Sequence, residues 1–299
     1  MVQETLEKTK HLVWPEIEKY LKDPVYPTQF TIPANYLKDI NSYWKIVREY
    51  PNRKGKYLRP TLVLLVASAM GAKIKKAVIT AAAMQLSEEW LLIHDDLQDN
   101  SENRRGEKTL HKLYGMELAV NAGDTLTTIM WKVLLDNEKV LGPEKTFEIM
   151  NEFYKTLLRT EHGQAVEIMW SKKRKRISDS DWFFLADGKT SYYTISLPVR
   201  LGAIVAEASK EQIEKLTEFG LYLGRCFQLV DDILDIETDK KEGKLTIPII
   251  KGVPYAQKLA TNLGKKAGKI FEENLSFLSH EPAKTQLREL IDFVLERKY

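Results

Sequence analysis

The chain has 299 residues, 43% hydrophobic and 29% charged, with a net charge of +3 and a pI near 8.6. This composition supports a large buried core, and so mild a positive charge excludes the strongly basic character of a nucleic-acid binder. The lone cysteine, Cys226, excludes an internal disulfide and any cysteine-based zinc cluster, which fits a reducing cytoplasm.

The stretch Met1 to Lys10 is polar with alternating charge and carries no apolar segment of a secretory signal. Residues 1–50 read as one amphipathic helix broken around Pro24, Pro27 and Pro33, then a second from about Tyr36 to Tyr50. A basic loop, Arg53-Lys54-Gly55-Lys56-Tyr57-Leu58-Arg59, meets Pro60. That proline suits the first turn of a helix from Thr61 to Met70, which puts Arg59 at a positive helix N-terminus. The longest nearly apolar run, Leu62 to Ala72, is too short to span a bilayer. A helix over residues 75–99 carries an acidic motif, and Asn100 to Glu107 reads as its polar exit loop.

Thr109 to Leu135 reads as a long helix or a pair, and Glu144 to Trp170 as another. The basic run Ser171-Lys172-Lys173-Arg174-Lys175-Arg176 reads as a solvated loop, because no aromatic residue interleaves with its charges. Ser178 to Asp181 then supply N-caps for a helix containing Gly188-Lys189-Thr190-Ser191, with Pro198 kinking or ending it. Residues 211–237 form a second acidic helix, Lys240 to Lys244 a charged loop closing at Pro248, and 255–299 two amphipathic helices. Helical period recurs throughout and no hairpin pattern is visible. The fold class is therefore all-α, with no linker marking a boundary inside a single domain over residues 1–299.

Two acidic motifs stand out from these helices. Asp95 and Asp99 lie four apart, so on a helix their Cβ atoms are about 5 to 6 Å apart on one face, with Asp96 beside them. The same pattern returns at Gln228-Leu229-Val230-Asp231-Asp232-Ile233-Leu234-Asp235. Glu88, Leu91, Leu92, Asp95 and Asp99 share one helical stripe, and Gly220, Gly224, Gln228, Asp231 and Asp235 another, so both helices aim carboxylates from one end. One such motif reads most plainly as a solvated helix end; two, each behind a mostly apolar turn, do not. An EF-hand is excluded, since its obligatory glycine would fall at Arg104.

Like charges this close demand a cation between them. Lys56, Arg59, Arg104, Arg105, Lys189 and Lys244 add basic groups suited to phosphate oxygens, arginine as a fork and lysine as a point charge. Magnesium, which bridges a few carboxylates to phosphates, suits this set, whereas calcium wants more oxygen ligands. Neither a G-x-x-x-x-G-K loop nor a G-x-G-x-x-G is present, which argues against a nucleotide. A helical bundle charged at one end and apolar inside suits a diphosphate head on a hydrocarbon tail.

At this level the chain resembles the trans-type isoprenyl diphosphate synthases, the polyprenyl synthetase family that joins isopentenyl diphosphate to an allylic diphosphate. The matching motifs run in order: Gly55-Lys56-x-x-Arg59-Pro60, Asp95-Asp96-x-x-Asp99 with Arg104-Arg105-Gly106, Thr109-x-His111-x-x-Tyr114-Gly115, and Ala122-Gly123-Asp124. They continue with Gly163-Gln164, Lys189-Thr190, Phe227-Gln228-x-x-Asp231-Asp232-x-x-Asp235 and Gly243-Lys244-x-Thr246-x-Pro248. The resemblance implies an isoprenoid-synthase helical bundle around a central active-site cavity, and a homodimer. It further implies magnesium on the allylic diphosphate held by Asp95, Asp99 and Asp231 with Asp235 in support. Arg104, Lys189 and Lys244 would grip that diphosphate, and Lys56, Arg59 and Arg105 isopentenyl diphosphate. Thr190 and Gln228 would line the reacting allyl carbons.

Three departures stand against the family pattern. Glu88 occupies a position usually held by histidine or glutamine, where an anion repels a diphosphate unless it is protonated or salt-bridged. Glu167 replaces an aspartate, and the segment Glu237 to Gly243 is shorter than usual. Trp90, five residues before Asp95, matches the chain-length floor of archaeal-type geranylgeranyl diphosphate synthases, although Leu91 lies nearer to Asp95 on the helical wheel. Geranylgeranyl diphosphate is the expected product and farnesyl diphosphate the next. The alternatives are a terpene cyclase, against which the second aspartate motif counts, and a non-catalytic helical subunit of a synthase, against which both motifs count.

Overall fold

The computed structural model describes residues 2–22, 30–173, 175–244 and 246–296, and within them the chain is helical apart from one small hairpin and short connections. Pro24 and Pro27, where the sequence breaks the first helix, lie outside the described residues. The first helices are α1 (Val2–Tyr20), α2 (Leu37–Arg53), α3 (Leu58–Ala69) and α4 (Val78–Gln98). α3 starts three residues before the expected Thr61, which places Arg59 inside its first turn.

α4 is the central helix, because Thr80 through Ser87 are buried on every face. A helix buried on every face lies inside the core, and its polar side chains find partners there: Thr80 donates to Asn137, Gln85 to Glu89 and Ser87 to the Met84 carbonyl. α3, buried from Pro60 to Ala67, packs beside it. No helix is long and apolar enough to cross a membrane among the described residues.

The exit from α4 is a hairpin and not the plain loop that the sequence leads one to expect. β1 (Asn103–Arg104) pairs antiparallel with β2 (Glu107–Lys108) around Arg105 and Gly106, which adopt φ of 55° and 82°. Two successive positive φ values match the twist of paired strands. The strands are too short for any alternating pattern, so periodicity could not reveal them. The turn carries Arg105 back onto α4.

The outer shell follows as α5 (Leu110–Tyr114) and α6 (Met116–Asp136), broken at Gly115, then α7 (Glu138–Leu141) and α8 (Pro143–Lys172). α6 packs on α4. Ser178 and Asp181 form a reciprocal capping box that starts α9 (Asp179–Ala186). The helix then widens into a π-helical stretch, Asp187–Ser196, and narrows again as α10 (Leu197–Val205). Pro198 falls in the first turn after the wide stretch, where its missing N–H is tolerated, so the helix passes through it without ending.

α11 (Lys210–Leu234) carries the second acidic motif and crosses the π-helical stretch at close range. A Cβ on Gly220 would stand 2.7 Å from Ser196 Cα, and one on Gly224 2.5 Å from Ser191 Cα. No larger residue fits there. The expected charged loop at Lys240 to Lys244 is mostly helix: α12 (Ile236–Glu242) starts immediately after Asp235, and Pro248 lies in the first turn of α13 (Ile247–Lys251). α14 (Val253–Asn274) and α15 (Ala283–Glu296) close the bundle.

Candidate active site

α4 and α11 both end in aspartates at their C-termini. The helix dipole is negative there, so carboxylates at these ends are unfavourable unless cations offset them. A cavity of about 430 Å³ opens between α4, α8, the π-helical stretch and α11. Asp95 and Asp231 line it from opposite helices, with Lys189, Thr190 and Gln228 between them and Trp90 and Leu91 on the α4 wall. The two motifs, far apart in sequence, thus share one chamber.

The cations meet the carboxylates directly. Lys189 Nζ lies 2.6 Å from Glu167 and 3.8 Å from Asp95, while Lys244 Nζ lies 3.3 Å from Asp99 and 3.7 Å from Asp239. Burial works to lower the Lys189 ammonium, but Glu167 and Asp95 outweigh it and hold the group above its ordinary value. Burial, and then Asp95, pushes the Asp99 carboxyl up, against the pull of both lysines. Gln164 donates to Asp95 at 3.1 Å.

Arg104 grips the buried Asp96 through Nε at 3.0 Å to both carboxylate oxygens, and Tyr50 donates to the same group at 2.6 Å. Its distance to Asp95 is 3.9 Å. The sequence singled out Arg104 but gave Asp96 no task. In the second motif Asp232 is the corresponding buried member. It accepts from Trp182 at 2.8 Å and Gln228 at 2.6 Å, and burial pushes its carboxyl up to about 7 even though both bonds favour the ionised form. Gln228 also accepts from the Thr190 hydroxyl, so the Lys189-Thr190 and Gln228 motifs meet. Asp235 is exposed at the end of α11, outside the cavity wall.

A second basic group sits beside the first acidic helix. Arg59 lies 3.1 Å from Glu88, donates to Thr194 at 2.9 Å and stacks 4.8 Å above the Tyr193 ring. Arg105 holds the buried Glu89 at 2.9 and 3.2 Å and stands 3.7 Å from Glu88. Glu88 is therefore salt-bridged, and the repulsion its charge would exert on a diphosphate is largely offset. Burial raises the Glu89 carboxyl to about 7 against the attraction of Arg105. Lys56 is exposed on the loop before α3 and does not line the cavity. Gly55 leaves room for the Arg105 guanidinium, which would stand 2.6 Å from a Cβ there.

Among the described residues no three carboxylates or histidines converge on one point. The donors are nevertheless hard oxygens, and the ammonium groups of Lys189 and Lys244 already stand against Asp95 and Asp99 where cations belong. Magnesium needs only one or two carboxylates when phosphate oxygens and water complete its shell, so these residues fit it.

An all-α bundle with two aspartate-tipped helices facing across an apolar chamber has the architecture of the isoprenoid synthases. The family model for polyprenyl synthetase matches residues 41–275, and the chain belongs to that family. It is 27% identical to a geranylgeranyl pyrophosphate synthase of Geoglobus acetivorans across the whole of both chains. It is 32% identical to a geranylgeranyl diphosphate synthase of Saccharolobus solfataricus, covering 82% of this chain and 77% of that one. The solved Geoglobus acetivorans synthetase superposes with a TM-score of 0.84 at 26% identity, covering 98% of this chain and 99% of the other. The Pyrococcus horikoshii synthetase, at 23% identity, shares the fold with a TM-score of 0.85 and coverage of 99% of both chains.

Proposed function

We propose that this trans-prenyltransferase, acting as one domain, extends allylic diphosphates with isopentenyl diphosphate to geranylgeranyl diphosphate, with farnesyl diphosphate as the next product. The carrying observation is the single chamber that Asp95 and Asp231 line from opposite helices while Trp90 lines its α4 wall. Lys189, Lys244 and Arg104 take the allylic diphosphate, exchanging their carboxylate partners for phosphate oxygens. Magnesium, held by Asp95, Asp99 and Asp231 with Asp235 supporting, would neutralise charge on the leaving diphosphate. Arg59, Arg105 and Lys56 hold isopentenyl diphosphate.

Ionisation leaves an allylic cation, which the oxygens of Thr190 and Gln228 face and stabilise as preorganised dipoles. The apolar wall keeps water from quenching it. The isopentenyl double bond attacks, and the departing diphosphate takes the proton, so no side-chain nucleophile is needed. The hydrocarbon grows along α4 towards Trp90.

A homodimer in the cytoplasm is part of the same proposal. Phe147, Tyr154 and Leu158 fall on one face of α8 and are exposed, and Leu113 of α5 and Met116 of α6 are exposed as well. Incubating the purified protein with isopentenyl diphosphate and dimethylallyl, geranyl or farnesyl diphosphate, with and without magnesium, tests the activity. Chain extension in magnesium is expected. Cyclised hydrocarbons, or no product from any primer, would overturn the proposal.

A further inference from the structure

The basic run that the sequence reads as a solvated loop has, at its described residues 171–173, 175 and 176, apolar neighbours supplied by the fold. Met169, 50% exposed, shares a face of α8 with exposed Lys172, and exposed Lys173 follows as the C-cap of that helix. The Trp170 ring lies 6.1 Å from that of Phe184 on α9, and Phe184 is 41% exposed. Lys175 caps Trp170 at 3.4 Å and Arg159 caps Phe184 at 4.3 Å. Arg176 is exposed nearby in sequence. The adjacent acids are engaged: Asp181 with Lys175 at 2.9 Å, and Asp179 with Lys251 at 2.5 Å and Tyr255 at 2.7 Å. Cations therefore surround an apolar tip.

The tip stands at the charged end of the chamber. Ile168 lines the cavity and Glu167 holds Lys189, while Met169, the next residue along α8, turns away from the cavity to the surface. We propose that this patch docks the protein on an anionic bilayer surface. Met169 and Phe184 enter the headgroup region, and Lys172, Lys173 and Arg176 meet lipid phosphates. Apolar insertion and electrostatic attraction together give reversible attachment, where either alone is weak. Nucleic acid is disfavoured, because Lys175 and Arg159 cover ring faces on which bases would stack. Such docking rests on the proposed function only for its use, which is to keep a hydrocarbon-tailed diphosphate near the membrane it partitions into.

The test is co-sedimentation of the full chain with vesicles of phosphatidylcholine, alone or with about one third phosphatidylglycerol, at low and high salt. Pelleting is expected only with the anionic vesicles and is reversed by salt. Lys172→Glu with Lys173→Glu should weaken it at least ~25-fold, at about fivefold per lysine. Met169→Ser with Phe184→Ser should also weaken it, and both double variants should retain turnover of soluble substrates, which separates this result from failure of the proposed activity. Absent pelleting, equal pelleting on neutral vesicles, or pelleting that neither double variant weakens would overturn the proposal. Tighter binding to a DNA duplex than to anionic vesicles would overturn it as well.

Discussion

Trp90→Ala tests where the growing chain stops. Trp90 is 5% exposed, lines the chamber, and meets His94 edge-on with ring centroids 5.8 Å apart. Its indole N–H is buried without a hydrogen-bond partner, so the side chain serves by bulk. Removing a buried tryptophan costs about 3–5 kcal/mol. Deleting the unpartnered donor offsets about 1–3 kcal/mol of that, which leaves roughly 2 kcal/mol and a melting temperature lower by a few degrees. One further isoprene unit buries five carbons, worth about 4 kcal/mol at ~0.8 kcal/mol each. A longer hydrocarbon therefore more than refills the hole, and products should lengthen by one unit or more. The assay is reversed-phase chromatography of the dephosphorylated alcohols. An unchanged length distribution would refute the floor at Trp90, and lengthening in Leu91→Ala alone would move it one residue along.

Asp95→Ala and Asp231→Ala should each lower kcat by about 10²–10³-fold or more, the scale of losing a preorganised electrostatic group, with circular dichroism unchanged. Near-normal turnover in either variant would sink the magnesium assignment. Glu88→Gln frees Arg59 from a partner that a diphosphate must otherwise displace. The Michaelis constant for isopentenyl diphosphate should drop about tenfold, roughly half a charge-assisted hydrogen bond, while that for the allylic substrate stays put. A rise instead would show that the carboxylate aims Arg59. Gly224→Ala places a Cβ against Ser191 Cα and should cost about 1–3 kcal/mol. Its kcat should fall too as Gln228 parts from Thr190, and parental melting and turnover together would contradict the close approach.

Periodicity made the helices legible, and the i, i+4 stripe put Asp95 with Asp99 and Gly224 with Gln228 on the correct faces. It could not show the β1–β2 turn, whose strands are two residues long, nor the π-helical stretch, because a widened ladder keeps helical composition. Pro198 marked the spot, but a proline indicates only that an ordinary helical hydrogen bond is missing. The capping box at Ser178 and Asp181 was readable because its partners are three residues apart.

Partners across helices were the illegible part. A stripe fixes the face a side chain occupies and leaves its opposite number open, so Asp96 for Arg104, Glu167 for Lys189 and Glu89 for Arg105 were not foreseeable. Their common consequence bears on binding. Arg59, Arg104, Arg105, Lys189 and Lys244 each stand against a carboxylate before any substrate arrives. On the proposed function, a diphosphate would exchange one anion for another at side chains already placed, with little rotamer freedom left to be lost on binding. The exchange favours a ligand that presents several charged oxygens at once, since a single carboxylate could displace one partner but not the set. On the proposed function, selectivity for diphosphate over simpler anions would follow from that internal competition, which centres on the carboxylates of α4 and its C-terminal end.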